Sequence, residues 1–158
     1  MPELYSMENA LEFNWSSISN ELNPERRKLL DDYLAGKRVL DAGCGGGGYV
    51  SYLQKKGLDC IGIDNFKDFV DFANKKTTKD SIFLGNITSL PFPDKSFDST
   101  YCFDVLEHVD DYVALSELAR VTSKRIIITV PKTDSFFKKY GLTFLHCPDN
   151  VKKLNHIF

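Results

Sequence analysis

Apolar residues recur along this chain with two alternating periods. Leu29, Leu30, Tyr33 and Leu34 form the stripe of an amphipathic helix. Ahead of them, Asn23-Pro24-Glu25 supplies a side-chain cap, a proline suited to the first helical position and an acid in the first turn. Gly36 is placed to end that helix. Residues 38–41 then read as a short strand running into glycines, and residues 49–56 as a helix punctuated by Gly57. The alternation repeats. A β-rich run at 58–63 ends at Asp64 and is followed by a helix carrying Phe66, Phe69, Val70 and Ala73. A brief strand at 81–84 and a fourth at 97–103 come next. A helix at 112–121 turns Leu115, Leu118 and Ala119 inward, and a fifth strand at 125–130 is stopped by Pro131. Strands alternating with helices predict an α/β fold, a mainly parallel twisted sheet flanked by helices with right-handed crossovers.

The two ends are less patterned. Residues 1–22 hold the only tryptophan, Trp15, beside Phe13, and are read as a lid (with Tyr5) or as an edge segment. Residues 132–158 show one amphipathic stretch at 135–140 and then finish on the apolar, uncapped His156-Ile157-Phe158. We read this as an incomplete region that lacks the last strands of a full sheet. With 158 residues, the whole of 1–158 is expected to form a single domain.

Composition narrows the class. A hydrophobic content of 42%, charged residues at 27% and a net charge of -2 are those of a globular protein. The lysines stand in scattered pairs rather than a clustered stripe, so no nucleic-acid partner is expected. No apolar run is long enough for a membrane span, and the N-terminus lacks the charged-then-apolar pattern of a signal peptide. Cys44, Cys60, Cys102 and Cys147 include no CxxC and no metal-ligand spacing, and three lie in or beside apolar runs. They read as buried thiols in a reducing, cytoplasmic setting, with no metal site.

Residues 39–50, VLDAGCGGGGYV, hold five of the ten glycines. Gly43-x-Gly45-x-x-Gly48 satisfies GxGxxG between a strand and a helix, so a nicotinamide-dependent oxidoreductase is one reading. Asp41 argues against it, because an acid at the strand tip opposes a pyrophosphate on the helix N-terminus. A ligand with a cationic group there suits Asp41. S-adenosylmethionine carries an ammonium, a sulfonium and one carboxylate. Asp64, closing the second strand, is positioned to accept both hydroxyls of a ribose, or to cap the following helix.

Four stretches in order, VLDAGCGGGGYV, CIGIDNF, GNITSLPFPDKSFDSTYCFDVLEHV and RIIITVPK, resemble the class I S-adenosylmethionine-dependent methyltransferases, in particular the methyltransferase type 11 branch. The resemblance implies a Rossmann-like sheet, S-adenosylmethionine as cofactor (S-adenosylhomocysteine as product) and a small-molecule methyl acceptor. It assigns Asp41, Gly43, Gly45 and Gly47 to the methionine part of the cofactor and Asp64 to the ribose. Asn65 and Phe66 flank the adenine. Asn86-Ile87 falls where the family has an acid and an apolar residue at the adenine amine, so here an amide oxygen replaces a carboxylate. Phe103 and Asp104 match positions lining the methyl-transfer cleft. Methyl transfer needs alignment more than a fixed base, so no catalytic residue is assigned. Asp104 and His108 are the titratable candidates, while Glu107 reads as a surface or helix-start acid. A module that binds the cofactor without transferring the methyl group is the other alternative. The aromatics Phe136, Phe137, Tyr140 and Phe144 read as acceptor-pocket lining or as core.

Overall fold

A computed structural model describes residues 6–13, 18, 21–78 and 80–130. Five strands, β1 (Arg38–Ala42), β2 (Asp59–Asp64), β3 (Ile82–Leu84), β4 (Phe97–Phe103) and β5 (Thr122–Thr129), form one sheet in the order β3-β2-β1-β4-β5. Every pairing is parallel. The helices are α1 (Met7–Glu12), α2 (Pro24–Tyr33), α3 (Gly48–Lys55), α4 (Lys67–Asn74) and α5 (Asp111–Val121), with a 3-10 turn at Leu106–His108. Strand order runs outward from β1 through β2 to β3 on one side, and from β4 to β5 on the other. The crevice at the C-terminal ends of β1 and β4 is therefore the topological switch point, where such sheets take their ligands.

Strand alternation sorts the core into two layers. Val39 and Tyr101 face α2, α3 and α4, packing with Leu30, Val50, Leu53, Val70 and Ala73. Leu40, Ala42, Ile63 and Cys102 face the other way, onto Leu106 and the Ala114, Leu118 and Val121 stripe of α5. A third, smaller cluster joins α1 to α4 through Met7, Ala10, Phe66, Phe69 and Phe72. Of the N-terminal aromatics singled out as a lid, Phe13 is exposed, and Tyr5 and Trp15 lie outside the described residues. The amphipathic stretch 135–140, the aromatics beyond it and Cys147 also fall outside them. Cys44, Cys60 and Cys102 are buried free thiols. No helix among the described residues is long and apolar enough to cross a membrane.

The expected order of helices and strands from α2 to β5 is present, with strand starts within one residue except for one that moves by three. β5 begins at Thr122, directly after α5, rather than at residue 125. Thr122, Ser123 and Lys124 look too polar for a strand, but tertiary contacts draw them in. The Thr122 hydroxyl donates to Leu118 O (2.6 Å) and bonds with Thr100 Oγ1 (2.7 Å), and Thr122 pairs with Phe97 ahead of a bulge. The cap of α2 is as expected: Asn23 Oδ1 accepts from Glu25 N (2.9 Å) and Arg26 N (3.1 Å). Asn23→Ala is expected to lower the unfolding free energy by about 1 kcal/mol, read as a shifted urea midpoint at constant slope.

Candidate functional site

The loop after β1 is built by glycines in the left-handed region: Gly43 at φ 87°, Gly45 at φ 50° and Gly47 at φ 74°. Two of them are required by the chain's own packing. A Cβ on Gly43 would collide with the Val105 side chain, at the exit of β4, and one on Gly47 would stand 2.8 Å from the Ala73 Cβ of α4. The loop is therefore drawn down onto its neighbours. Gly43 N and Cys44 N both donate to Ile63 O (2.9 and 3.0 Å), tying it to the end of β2.

Asp64 completes that tie. Its Oδ2 accepts from Gly45 N (2.8 Å) and its Oδ1 from Phe66 N (3.0 Å), with the residue 8% exposed. Burial pushes its carboxyl above the usual range, and backbone N–H groups oppose the shift. The helix-cap role expected as an alternative takes a different form. The N-cap of α4 is Phe66, with no side-chain cap bond, and Asp64 instead staples the glycine loop to the entry of α4. A carboxylate has about four acceptor positions, so Asp64 keeps capacity for a further donor.

Asp41 lies on the other side of the loop. It is 3% exposed and sits opposite Tyr101 in the β1–β4 register. Burial pushes its carboxyl up to about 8, the Tyr101 hydroxyl that bonds to it opposes the shift, and the nearby Asp64 adds to it. The same hydroxyl lies 3.9 Å from Cys60 Sγ. The expected acid at the strand tip is thus a desolvated group with a tyrosine partner that nothing in the local sequence announces.

At the exit of β4, Phe103 stands edge-on to Tyr49 (5.5 Å between ring centroids) and tilted against Tyr101 (5.0 Å). Asp104 is a non-glycine residue at φ 55°. Its backbone N donates to Thr129 O (3.0 Å), its Oδ1 accepts from Thr129 Oγ1 (3.1 Å), and its Oδ2 is ion-paired with Arg26. Glu107 corrects the sequence reading. It stands in the first turn of the 3-10 helix but is 1% exposed rather than a surface acid, its Oε2 has no hydrogen-bond partner among the described residues, and burial pushes its carboxyl up to about 7. His108 Nε2 lies 3.5 Å from Glu107 Oε1.

The adenine-side candidates divide. Asn65 is exposed, and Phe66 borders a cavity of about 130 Å³ shared with Met7, Lys67, Asp68 and Phe69. Asn86 is exposed, but its amide oxygen already accepts from Thr88 N (3.0 Å) and Thr88 Oγ1 (2.9 Å). Ile87 is buried in the α5-side core. Asp41, Gly43, Gly45, Asp64, Phe66, Phe103 and Asp104 all gather at the C-terminal ends of β1, β2 and β4.

Residues 40–128, more than half of the chain, match the methyltransferase-domain family. The chain belongs to that family. An uncharacterized protein of Methanocaldococcus jannaschii is 34% identical over 144 residues, 86% of this chain and 62% of that protein. A ubiquinone biosynthesis O-methyltransferase of Paraburkholderia phymatum is 33% identical over 112 residues, 66% of this chain and 48% of that enzyme. The match thus spans less than two thirds of the length of the first relative and less than half of the second. Among solved structures, an S-adenosylmethionine-dependent methyltransferase of Thermotoga maritima, a possible histamine N-methyltransferase, superposes with a TM-score of 0.68 at 20% identity. The match covers 97% of this chain and 77% of that one, and bears on the fold.

The LPFPD stretch, residues 90–94, is held by two residues of α5, Glu117 and Arg120, that the sequence does not single out. Arg120 donates to Leu90 O (2.9 Å), Phe92 O (2.7 Å) and Asp94 Oδ1 (3.0 Å), while Glu117 Oε2 accepts from Leu90 N (2.7 Å). Their i,i+3 spacing on a helix was the available signal. Arg26, Tyr49 and Tyr101 also join the site without having been singled out for it.

Proposed function

We propose that this domain binds S-adenosylmethionine at the C-terminal ends of β1, β2 and β4 and transfers its methyl group to a small-molecule acceptor. The observation that carries the reading is the pair of buried acids, Asp41 and Asp64, on either side of a glycine loop at the switch point. This donor set fits the cofactor. Asp64 keeps acceptor capacity for the ribose hydroxyls, and Asp41 is a buried acid that an ammonium group would hold as a carboxylate. A pyrophosphate would leave Asp41 protonated and Asp64 opposed. The comparisons support neither the oxidoreductase nor the binding-only alternative.

When bound, the cofactor supplies a methyl group on a sulfonium whose departing thioether is neutral. The protein's part is alignment and exclusion of water. Gly43, Gly45 and Gly47 bring the backbone close, Asp64 orients the nucleoside, and Phe103 with Asp104 borders the methyl-transfer cleft where the methionine end meets the acceptor. Asn65, Phe66, Asn86 and Ile87 stand by the adenine, where Ile87 offers its backbone and Asn86 what its turn with Thr88 leaves over. Where the acceptor loses a proton, His108 beside the buried Glu107 is our candidate base. The small acceptor class follows the named O-methyltransferase relative, and three buried, unlinked thiols accord with the cytoplasmic setting.

Calorimetric titration with S-adenosylmethionine, S-adenosylhomocysteine and NAD tests this directly. The first two are expected to bind and NAD to give no heat beyond dilution. Binding of NAD with no response to the sulfonium ligand would overturn the proposal.

A further inference from the structure

Arg26 lies in the first turn of α2, outside every glycine or acid motif, yet it reaches the exit of β4. Its guanidinium carbon stands 5.7 Å from the Phe103 ring centroid and its Nη2 pairs with Asp104 Oδ2. The helix start is anchored a second time, because Asn23 N donates to the Tyr49 hydroxyl (3.2 Å) and Tyr49 is the ring that meets Phe103 edge-on. The start of α2, the start of α3 and the exit of β4 thus close a ring of contacts beside Gly43, where Val105 packs on the loop.

Within that ring Asp104 holds a left-handed backbone, which is strained for a non-glycine residue. Three contacts fix it there: two from Thr129 and the third from Arg26. The Arg26 and Asp104 side chains are 26% and 31% exposed, and a partly exposed pair of this kind adds little to stability. Its consequence is geometric. The pair ties the start of α2 to the exit of β4.

We propose that Arg26 is a positioning residue for methyl transfer, holding Phe103 and Asp104 against the amino-acid end of the bound cofactor through its stacking and its ion pair. The inference rests on the reading of the crevice as an S-adenosylmethionine site. It makes a demand that a purely structural role would not. The β4 exit neighbours Asp41 and Gly43, on the methionine side, whereas the nucleoside side is organised by Asp64 at the end of β2. Loss of Arg26 therefore discriminates between ligands that do and do not carry the amino-acid arm.

The test compares S-adenosylhomocysteine with 5′-methylthioadenosine, which keeps the nucleoside and lacks that arm, by calorimetric titration of four proteins and the wild type. Arg26→Met and Asp104→Asn are each expected to weaken S-adenosylhomocysteine on the order of fivefold and to leave 5′-methylthioadenosine within about twofold. The double variant adds no further loss, since the two side chains act as one unit. Arg26→Lys, which keeps the charge but not the planar stack, falls between. Asn at position 104 tolerates the left-handed backbone, so Asp104→Asn and Arg26→Lys carry the test if Arg26→Met folds poorly. Equal losses for both ligands, additive losses in the double variant, or unchanged S-adenosylhomocysteine affinity would each overturn the inference. A wild-type protein that bound neither ligand would overturn the proposed function, and this inference with it.

Discussion

Asp41→Asn is expected to gain on the wild-type protein by roughly 3 kcal/mol in unfolding free energy as the pH rises from 5 to 8. Asp41 titrates at an ordinary 3.8 when unfolded and is pushed up to about 8 when folded. Between those values the folded state binds more protons than the unfolded one, so stability falls as the pH rises and levels off above the folded value. Asparagine has no proton to lose, is nearly isosteric and can still accept from the Tyr101 hydroxyl. Asp64 and Glu107 are shifted in the same direction and are present in both proteins, so what remains in the difference is the Asp41 proton together with its small coupling to Asp64. Ligand-free urea unfolding at several pH values reads the effect, which is a large share of a small domain's total stability. Parallel stability curves for the two proteins would mean that Asp41 is solvated or ionised throughout.

Asp64→Ala is expected to weaken S-adenosylhomocysteine binding by about 2 kcal/mol, roughly thirtyfold, through loss of charge-assisted hydrogen bonds to two hydroxyls. The structure adds a second consequence. Gly45 N and Phe66 N would both lose their acceptor, and orphaned buried donors carry a desolvation cost of their own. Asp64→Asn separates the two effects, because its amide oxygen still serves one N–H while the charge is gone. Titration of both variants, with melting temperatures alongside, is the measurement. Full affinity in Asp64→Ala would confine Asp64 to holding the loop.

Much of this was legible in the chain itself. The alternation of periods located all five strands of the sheet, and Asn23-Pro24-Glu25 marked the start of α2 to the residue. The glycine run and the two acids were legible because backbone permissiveness and charge belong to residue types. What each is for was less so. Gly43 and Gly47 read as room for a ligand, and the fold shows that Val105 and Ala73 already press against them. Glu107 read as a surface or helix-start acid, and it does stand in the first turn of a 3-10 helix, but not at the surface. It is buried in that turn, whose Leu106 packs into the same core as the apolar stripe of α5. Asn86 was expected to offer its amide oxygen outward, but Thr88, two residues on, takes that oxygen in a local turn.

The sequence by itself determined the order and type of the elements, the strand–glycine–helix turn and the presence of acids at two strand tips. Caps, periodicity and turn chemistry act between residues a few positions apart. Only the tertiary structure decided the charge state of those acids and the company they keep. Asp41 meets Tyr101 because β1 and β4 pair in parallel, and Arg26 meets Asp104 because α2 crosses to the end of that same strand. Desolvation and Coulomb energy depend on distance through space, and residues far apart along the chain supply those neighbours only once the sheet has formed.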